Sequence, residues 1–287
     1  MLAGGAISFT APERARENVR LVVRAVSQQE PSNDAKGLRQ QYLAALAAMQ
    51  RHPYLARTAE SGWFLNFGPF DSRTGATLEA LLEIARIEPE DVFESNARET
   101  VEREIAAARE LLLLLRPHEL ETADLLIGTL VFVRKAGSAG GSFGTALGMV
   151  WLNPQHDWTT ADYAEALLHE TVHQALFLEQ LVRGMFTVDD GHRLAEEDAR
   201  VVSAILRIGR PYDASLHSAW VAIALAEFDL ERGEVDEACA KLSSLRPTVD
   251  GLREKDRFLD DHGKLLLSEL ESRYDAAVRE ISIHVTG

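Results

Sequence analysis

Apolar residues recur at three- and four-residue spacing over most of the chain, which predicts a mainly helical protein. Helices are expected over 13–27 and 36–51, split by the polar turn Glu30-Pro31-Ser32-Asn33-Asp34 and closed by His52-Pro53. The pattern resumes over 77–87 and 97–116, where Arg116-Pro117 stops it. Residues 61–69 (SGWFLNFGP) are aromatic and turn-bounded. They suit a buried loop or short strand, with a peptide-contacting surface as the other use.

Beyond residue 120 the period changes. Residues 125–134 (LLIGTLVFVR) are rich in β-branched side chains and read as a strand, and 146–153 (ALGMVWLN) as a second. The Gly/Ser stretch between them, 137–144, lacks the strand-to-helix context of a phosphate loop and reads as a flexible hairpin or lid. Only helices are expected afterwards, over 161–182, 192–208, 215–232, 235–245 and from Asp261 onward. The expected class is α+β, predominantly helical, with a small sheet packed beside a central helix. A helical N-terminal region (1–120) and a metal-binding catalytic region (121–287) are expected to form one compact unit.

Composition narrows the class without naming a function. With 287 residues, 46% of them hydrophobic and 26% charged, the chain can bury a full core. No apolar run reaches the roughly 18 residues needed to span a bilayer, and the N-terminus lacks a secretory pattern, so a cytoplasmic enzyme is expected. The single cysteine, Cys239, excludes an internal disulfide or a cysteine metal cluster and reads as packing. A net charge of −15 disfavours nucleic acid and anionic membrane as partners. It suits a cationic ligand or, more simply, solubility.

The chemistry lies on the central helix. Thr159 and Asp162 form a capping box, and the helix then runs YAEALLHETVHQALFLEQLV. Residues four apart share a helical face, so His169 and His173 can ligate one divalent ion, and Glu170 can reach a metal-bound water. Leu167, Leu168, Val172, Ala175, Leu176 and Phe177 surround them with apolar positions, which calls for a buried helix. Polar groups inside such a helix need partners, and a metal supplies them. The metzincin continuation fails, because Leu176 and Glu179 stand where that pattern wants Gly and His.

Several residues compete to be the third ligand. A glutamate from the helix expected at 192–208 would complete a zinc peptidase site. Glu197 shares a face there with Val201, Ile205 and Ile208, whereas Glu196 lines up with Arg200 and Arg207. His217 lies on the apolar stripe of Val221, Ala224 and Phe228 and points inward. His192, in a loop with Asp189 and Asp190, is the weakest choice. Pro211 breaks one helix, and Asp213 or Ser215 can cap the next, which leaves Arg210 in the hinge, where its guanidinium can clamp a carboxylate.

The segments ALLHETVHQAL, GMVWLNP and RPYDASLH, with DDHGKLLLSEL further on, resemble the HExxH-motif proteins of peptide-modification gene clusters. The resemblance covers 125 to the end, and the R-P-x-x-x-x-L-H element is its most specific part. It implies a zincin-like core and an iron(II)- and 2-oxoglutarate-dependent hydroxylase. Such an enzyme acts on the β-carbon of a residue in a ribosomally made precursor peptide. His169, His173 and His217 would hold the iron, and Arg210 a 2-oxoglutarate carboxylate, helped by Tyr212 or Ser218. Three neutral ligands depart from the usual two-histidine, one-carboxylate triad and leave positions for the 2-oxo acid and dioxygen. Glu170 would then orient substrate or support the site from outside the ligand set. The competing expectation is a zinc(II) metallopeptidase with Glu170 as general base.

Overall fold

The computed structural model describes residues 8–50, 62–67, 95–134, 139–187 and 191–286. It is predominantly helical with a small mixed sheet, an α+β chain as the hydrophobic pattern predicts. Two compact units divide it, Met1–Leu178 and Glu179–Gly287. Among the described residues no helix is long and apolar enough to cross a membrane.

The first unit opens with α1 (Pro12–Ser27) and α2 (Ala35–Gln50), which pack on each other through Val19, Val23, Leu38, Tyr42 and Leu46. The strand β1 (Phe64–Asn66) occupies the aromatic stretch. The helix α3 (Ser95–Leu115) stops before Arg116-Pro117 as expected, but Pro117 starts another, α4 (Pro117–Leu126). Pro at a first helical position forfeits no intrahelical bond, so the dipeptide that ends one helix begins the next. The strand expected from Leu125 is therefore shorter, β2 (Thr129–Phe132). The helix expected at 77–87 lies outside the described residues.

Four strands form one sheet in the order β1-β2-β4-β3, where β3 is Gly140–Ser142 and β4 is Met149–Leu152. β1, β2 and β4 run parallel, with Val131 opposite Asn66 on one side and Trp151 on the other. Burial on both faces matches the unbroken apolar run of β2 and β4. β3 is the antiparallel edge, pairing Gly141 with Trp151. Described residues of the expected lid thus form a strand. Its glycines are needed because a Cβ on Gly141 would stand 2.6 Å from the Trp151 indole nitrogen.

The central helix, α5 (Thr160–Arg183), follows β4. Its capping box forms as read: the Thr159 amide donates to Asp162 at 2.6 Å, and the Asp162 amide to Thr159 Oγ1 at 3.3 Å. Gln174, buried, pegs the helix to the sheet. It accepts from the Gly148 amide at 2.8 Å and donates to the Met149 carbonyl at 3.1 Å.

The second unit departs from expectation between 192 and 210. In place of one long helix stand a short α6 (Gly191–Ala195), a 3-10 turn (Glu197–Ala199) and a hairpin of β5 (Val201–Val202) with β6 (Gly209–Arg210). The β-branched pair Val201-Val202 favours extension. Ser203 Oγ takes the Leu206 amide at 3.3 Å, a local bond that competes with helix, and Arg207 adopts φ 56°. Three helices complete the unit: α7 (Tyr212–Arg232), α8 (Val235–Glu254) and α9 (Asp261–Thr286). α8 continues through Pro247, where the sequence reading ended it at 245.

Candidate metal centre

His169, His173 and Phe177 form a half-open stripe on α5, while Leu168, Glu170, Thr171, Val172, Gln174 and Leu176 around them are buried. Between Leu167 and Leu178 the helix is thus buried except along this stripe. The two Nε2 atoms stand 3.2 Å apart. Two nitrogen ligands about 2.1 Å from one ion, at roughly 90 to 110° to each other, are about 3.0 to 3.4 Å apart. The pair therefore has the spacing of two ligands to a single ion. Burial pushes the His169 pKa down to about 4, so at neutral pH the ring is uncharged and its lone pair is available. Phe177 lies nearly parallel to His173, with centroids 6.1 Å apart.

Glu170 is buried one step round, with one oxygen 3.9 Å from His169 Nε2. Ser142 on the edge strand donates to its other oxygen at 2.5 Å. Gly140 on the same strand is held close to its neighbour: a Cβ there would lie 2.9 Å from the Trp151 carbonyl oxygen, and in ordinary contact, at 3.5 Å, with Glu170 Oε1. Sequence reasoning missed both Ser142 and Gln174. The Gly-Gly-Ser run beside a strand, and a glutamine on a buried helical face, are the signals that mark them.

Burial raises the Glu170 pKa to about 8, although the Ser142 hydrogen bond pulls it the other way. A carboxyl whose folded pKa lies above its unfolded value contributes stability below about pH 4.5 and loses it as pH rises through about 8. Glu170→Gln keeps the acceptor for Ser142 and removes the buried charge. In metal-free protein it should raise stability by about 2 to 4 kcal/mol at pH 8 and by almost nothing near pH 4.5. Paired thermal melts of chelator-treated wild type and variant across that range check this. Melting points that stay equal at pH 8 would mean the carboxylate is solvated.

In the second unit the hairpin is pinned to the first turns of α7. Ser215 Oγ donates to the Val201 carbonyl at 2.9 Å, and the Ala204 amide donates to Ser218 Oγ at 3.2 Å. Ser218 Oγ in turn donates to the Ser215 carbonyl at 3.0 Å. Tyr212 is fully buried, and its hydroxyl donates to the Leu252 carbonyl at 2.9 Å. The structure thus gives both hydroxyls hydrogen bonds inside the fold. Arg210 belongs to β6 and not to a hinge between helices; it pairs with Val201 through the backbone and is half-buried. His217 is buried at 5% exposure, with its pKa pushed down to about 4 by that burial.

The rival third ligands fare differently. Glu196 and Glu197 are exposed at the 3-10 turn, so the apolar helical face proposed for Glu197 does not exist. Nothing is described of the His192 side chain. Glu179 is fully buried in the last turns of α5, 3.6 Å from Arg183 and 2.7 Å from His262. Among the described residues, no group of three or more His, Cys, Asp or Glu side chains is assembled around a single point. His169 and His173 come together as a pair, with their Nε2 atoms 3.2 Å apart. Compared with known proteins, the chain matches no family model and no characterised sequence.

Proposed function

We propose that the protein is an iron(II)- and 2-oxoglutarate-dependent hydroxylase that acts on the β-carbon of a residue in a ribosomally made precursor peptide. The observation that carries the metal part is the 3.2 Å separation of the His169 and His173 nitrogens on the open face of an otherwise buried helix. His217 is proposed as the third ligand. Its burial and lowered pKa keep it neutral, whereas Glu197, the ligand a zinc peptidase would need, stands in solvent. Arg210 is proposed to hold a carboxylate of 2-oxoglutarate: it is half-buried, and its side chain has no hydrogen bond or ion pair among the described residues. The zincin-like character of the core belongs to the same proposal.

Iron with 2-oxoglutarate, when bound, supplies oxidising power that removes hydrogen from carbon. The chain's own residues then have to bind, orient and exclude. His169 and His173 hold the ion on a face that opens beside Phe177, and Phe177 covers the second ring. Glu170, fastened to Ser142 on the edge strand, orients whatever lies along that strand and is not required as a base.

The experiment is anaerobic reconstitution with iron(II), followed by admission of oxygen with 2-oxoglutarate and a candidate precursor peptide. Succinate, together with a gain of one oxygen atom on the peptide, both lost in His217→Ala, is the expected result. A shortened peptide with zinc, dependent on Glu170 and without succinate, would replace this reading with a peptidase.

A further inference from the structure

We infer that the hairpin of β5 and β6 is a docking surface for an acidic, apolar peptide segment. Four of the twelve exposed large apolar side chains among the described residues lie on it. Val202, Ile205, Leu206 and Ile208 are 44, 42, 53 and 59% exposed. Single exposed apolar residues need no explanation, but four within seven positions form a patch, and such patches mark contact sites.

The patch is held in place by the fold. The Ser203 amide donates to the Ile208 carbonyl at 2.9 Å, and the Arg207 amide to the Ser203 carbonyl at 2.8 Å. The Ser215 and Ser218 hydroxyls tie the Val201 carbonyl and the Ala204 amide to α7. Val201 also comes so close to α8 that a Cβ on Gly251 would stand 2.8 Å from its Cγ1. With the base anchored on two helices, the apolar tip is fixed in solvent.

Charge identifies the partner. From Ala199 to Tyr212 the chain carries three arginines, Arg200, Arg207 and Arg210, and no acidic residue, although acids outnumber bases 45 to 30 overall. Arg210 is kept for the carboxylate proposed above, which leaves Arg200 and Arg207, with Lys255 beside them. Arg200 donates to the Gly209 carbonyl at 2.7 Å, Arg207 to Ser244 Oγ at 3.1 Å, and Lys255 to the Arg200 carbonyl at 2.6 Å. These acceptors are neutral, and none of the three cations has an ion pair among the described residues.

A complementary partner alternates apolar side chains with carboxylates. A two-fold contact with a second copy would set these arginines against one another. An anionic membrane would meet the rest of the chain as well, and a net charge of −15 repels it. A peptide is narrow enough to feel the hairpin within a Debye length of roughly 8 to 10 Å and little else.

The test uses the metal-free full chain, so its outcome is independent of the iron reading. Calorimetry follows binding of short peptides in which glutamate alternates with leucine, valine or phenylalanine, and of their glutamine counterparts. We expect saturable binding of at least one glutamate peptide, weakened about tenfold in its glutamine counterpart and by added salt. Leu206→Ser with Ile208→Ser should abolish binding. Arg207→Asp should weaken it about tenfold, and aspartate tolerates the left-handed backbone of φ 56° at that position. These side chains are exposed, so thermal melts of both variants should match wild type. Absence of binding by every glutamate peptide, or affinity unchanged in both variants, would overturn the inference. So would binding of phosphatidylserine vesicles alone, which would make the hairpin a membrane contact, or self-association alone that the serine variant abolishes, which would make it an interface between copies.

Discussion

His173→Ala should leave the protein folded and lower its affinity for a divalent ion by about two orders of magnitude or more. The reasoning starts from geometry. The His169 and His173 nitrogens stand 3.2 Å apart, a spacing at which one ion would be shared, and removing one would leave such an ion a single histidine of the pair. It continues with burial. His173 lies on the half-open stripe of α5, whereas the contacts that seat the helix come from its buried face, through Leu168, Val172 and the Gln174 peg. Truncating the ring removes its contact with Phe177 and its hydrogen bond with His169 on the half-open face, so thermal stability of the metal-free protein should fall by about 1 kcal/mol. Competition against a chromophoric chelator, with cobalt(II) as a coloured stand-in for iron, measures the affinity. If the protein has the proposed hydroxylase activity, succinate formation should fall below about 1% of wild type. A variant that holds the ion as tightly as the wild type would remove the histidine pair from any metal role.

The parts of this site that could be read from the sequence are those set by one helix. The spacing of His169 and His173, the Thr159-Asp162 box and the apolar positions between them are local, and the structure reproduces each. Contacts between distant segments were not legible. Ser142 reaches Glu170 only because β3 folds back along β4, and while the Gly/Ser run of 137–144 reads as a hairpin or lid, nothing local to it says which distant side chain it meets. The largest error, the helix expected at 192–208, has the same origin. Apolar residues at 201, 205 and 208 fit a helical stripe as well as a hairpin. The choice fell to Ser203, to the extended preference of Val201-Val202, and to partners on α7 in Ser215 and Ser218. That error also created the false inward face for Glu197. Pro117 and Pro247 show the opposite lesson. Pro117 was read as a stop yet opens α4, and the helix read as ending at 245 runs on as α8 through Pro247.

Gly263→Ala should destabilise the chain by roughly 3 to 5 kcal/mol, enough to threaten folding at 37 °C. Helix propensity alone argues the other way, since alanine in α9 would gain about 1 kcal/mol over glycine. Sterics decide. A Cβ at Gly263 would stand 2.2 Å from the Met185 carbonyl oxygen and 2.9 Å from a Leu259 methyl. The oxygen belongs to backbone that cannot swing aside, because it accepts from the Asp260 amide at 3.1 Å, and Thr187 two residues on is tied to the Phe258 carbonyl at 2.9 Å. This stitching holds the segment leaving α5 against the start of α9, next to the contact of Glu179 with His262. Relief of the clash must therefore break at least one of these bonds or move the α9 N-terminus, and either leaves buried polar groups unpaired. Denaturant unfolding measures the loss. Gly263→Ser should be as damaging, whereas Lys264→Ala, one position on and exposed, should change stability by less than about 0.5 kcal/mol. Equal midpoints for Gly263→Ala and wild type would show that α9 and the segment after α5 are not in this contact.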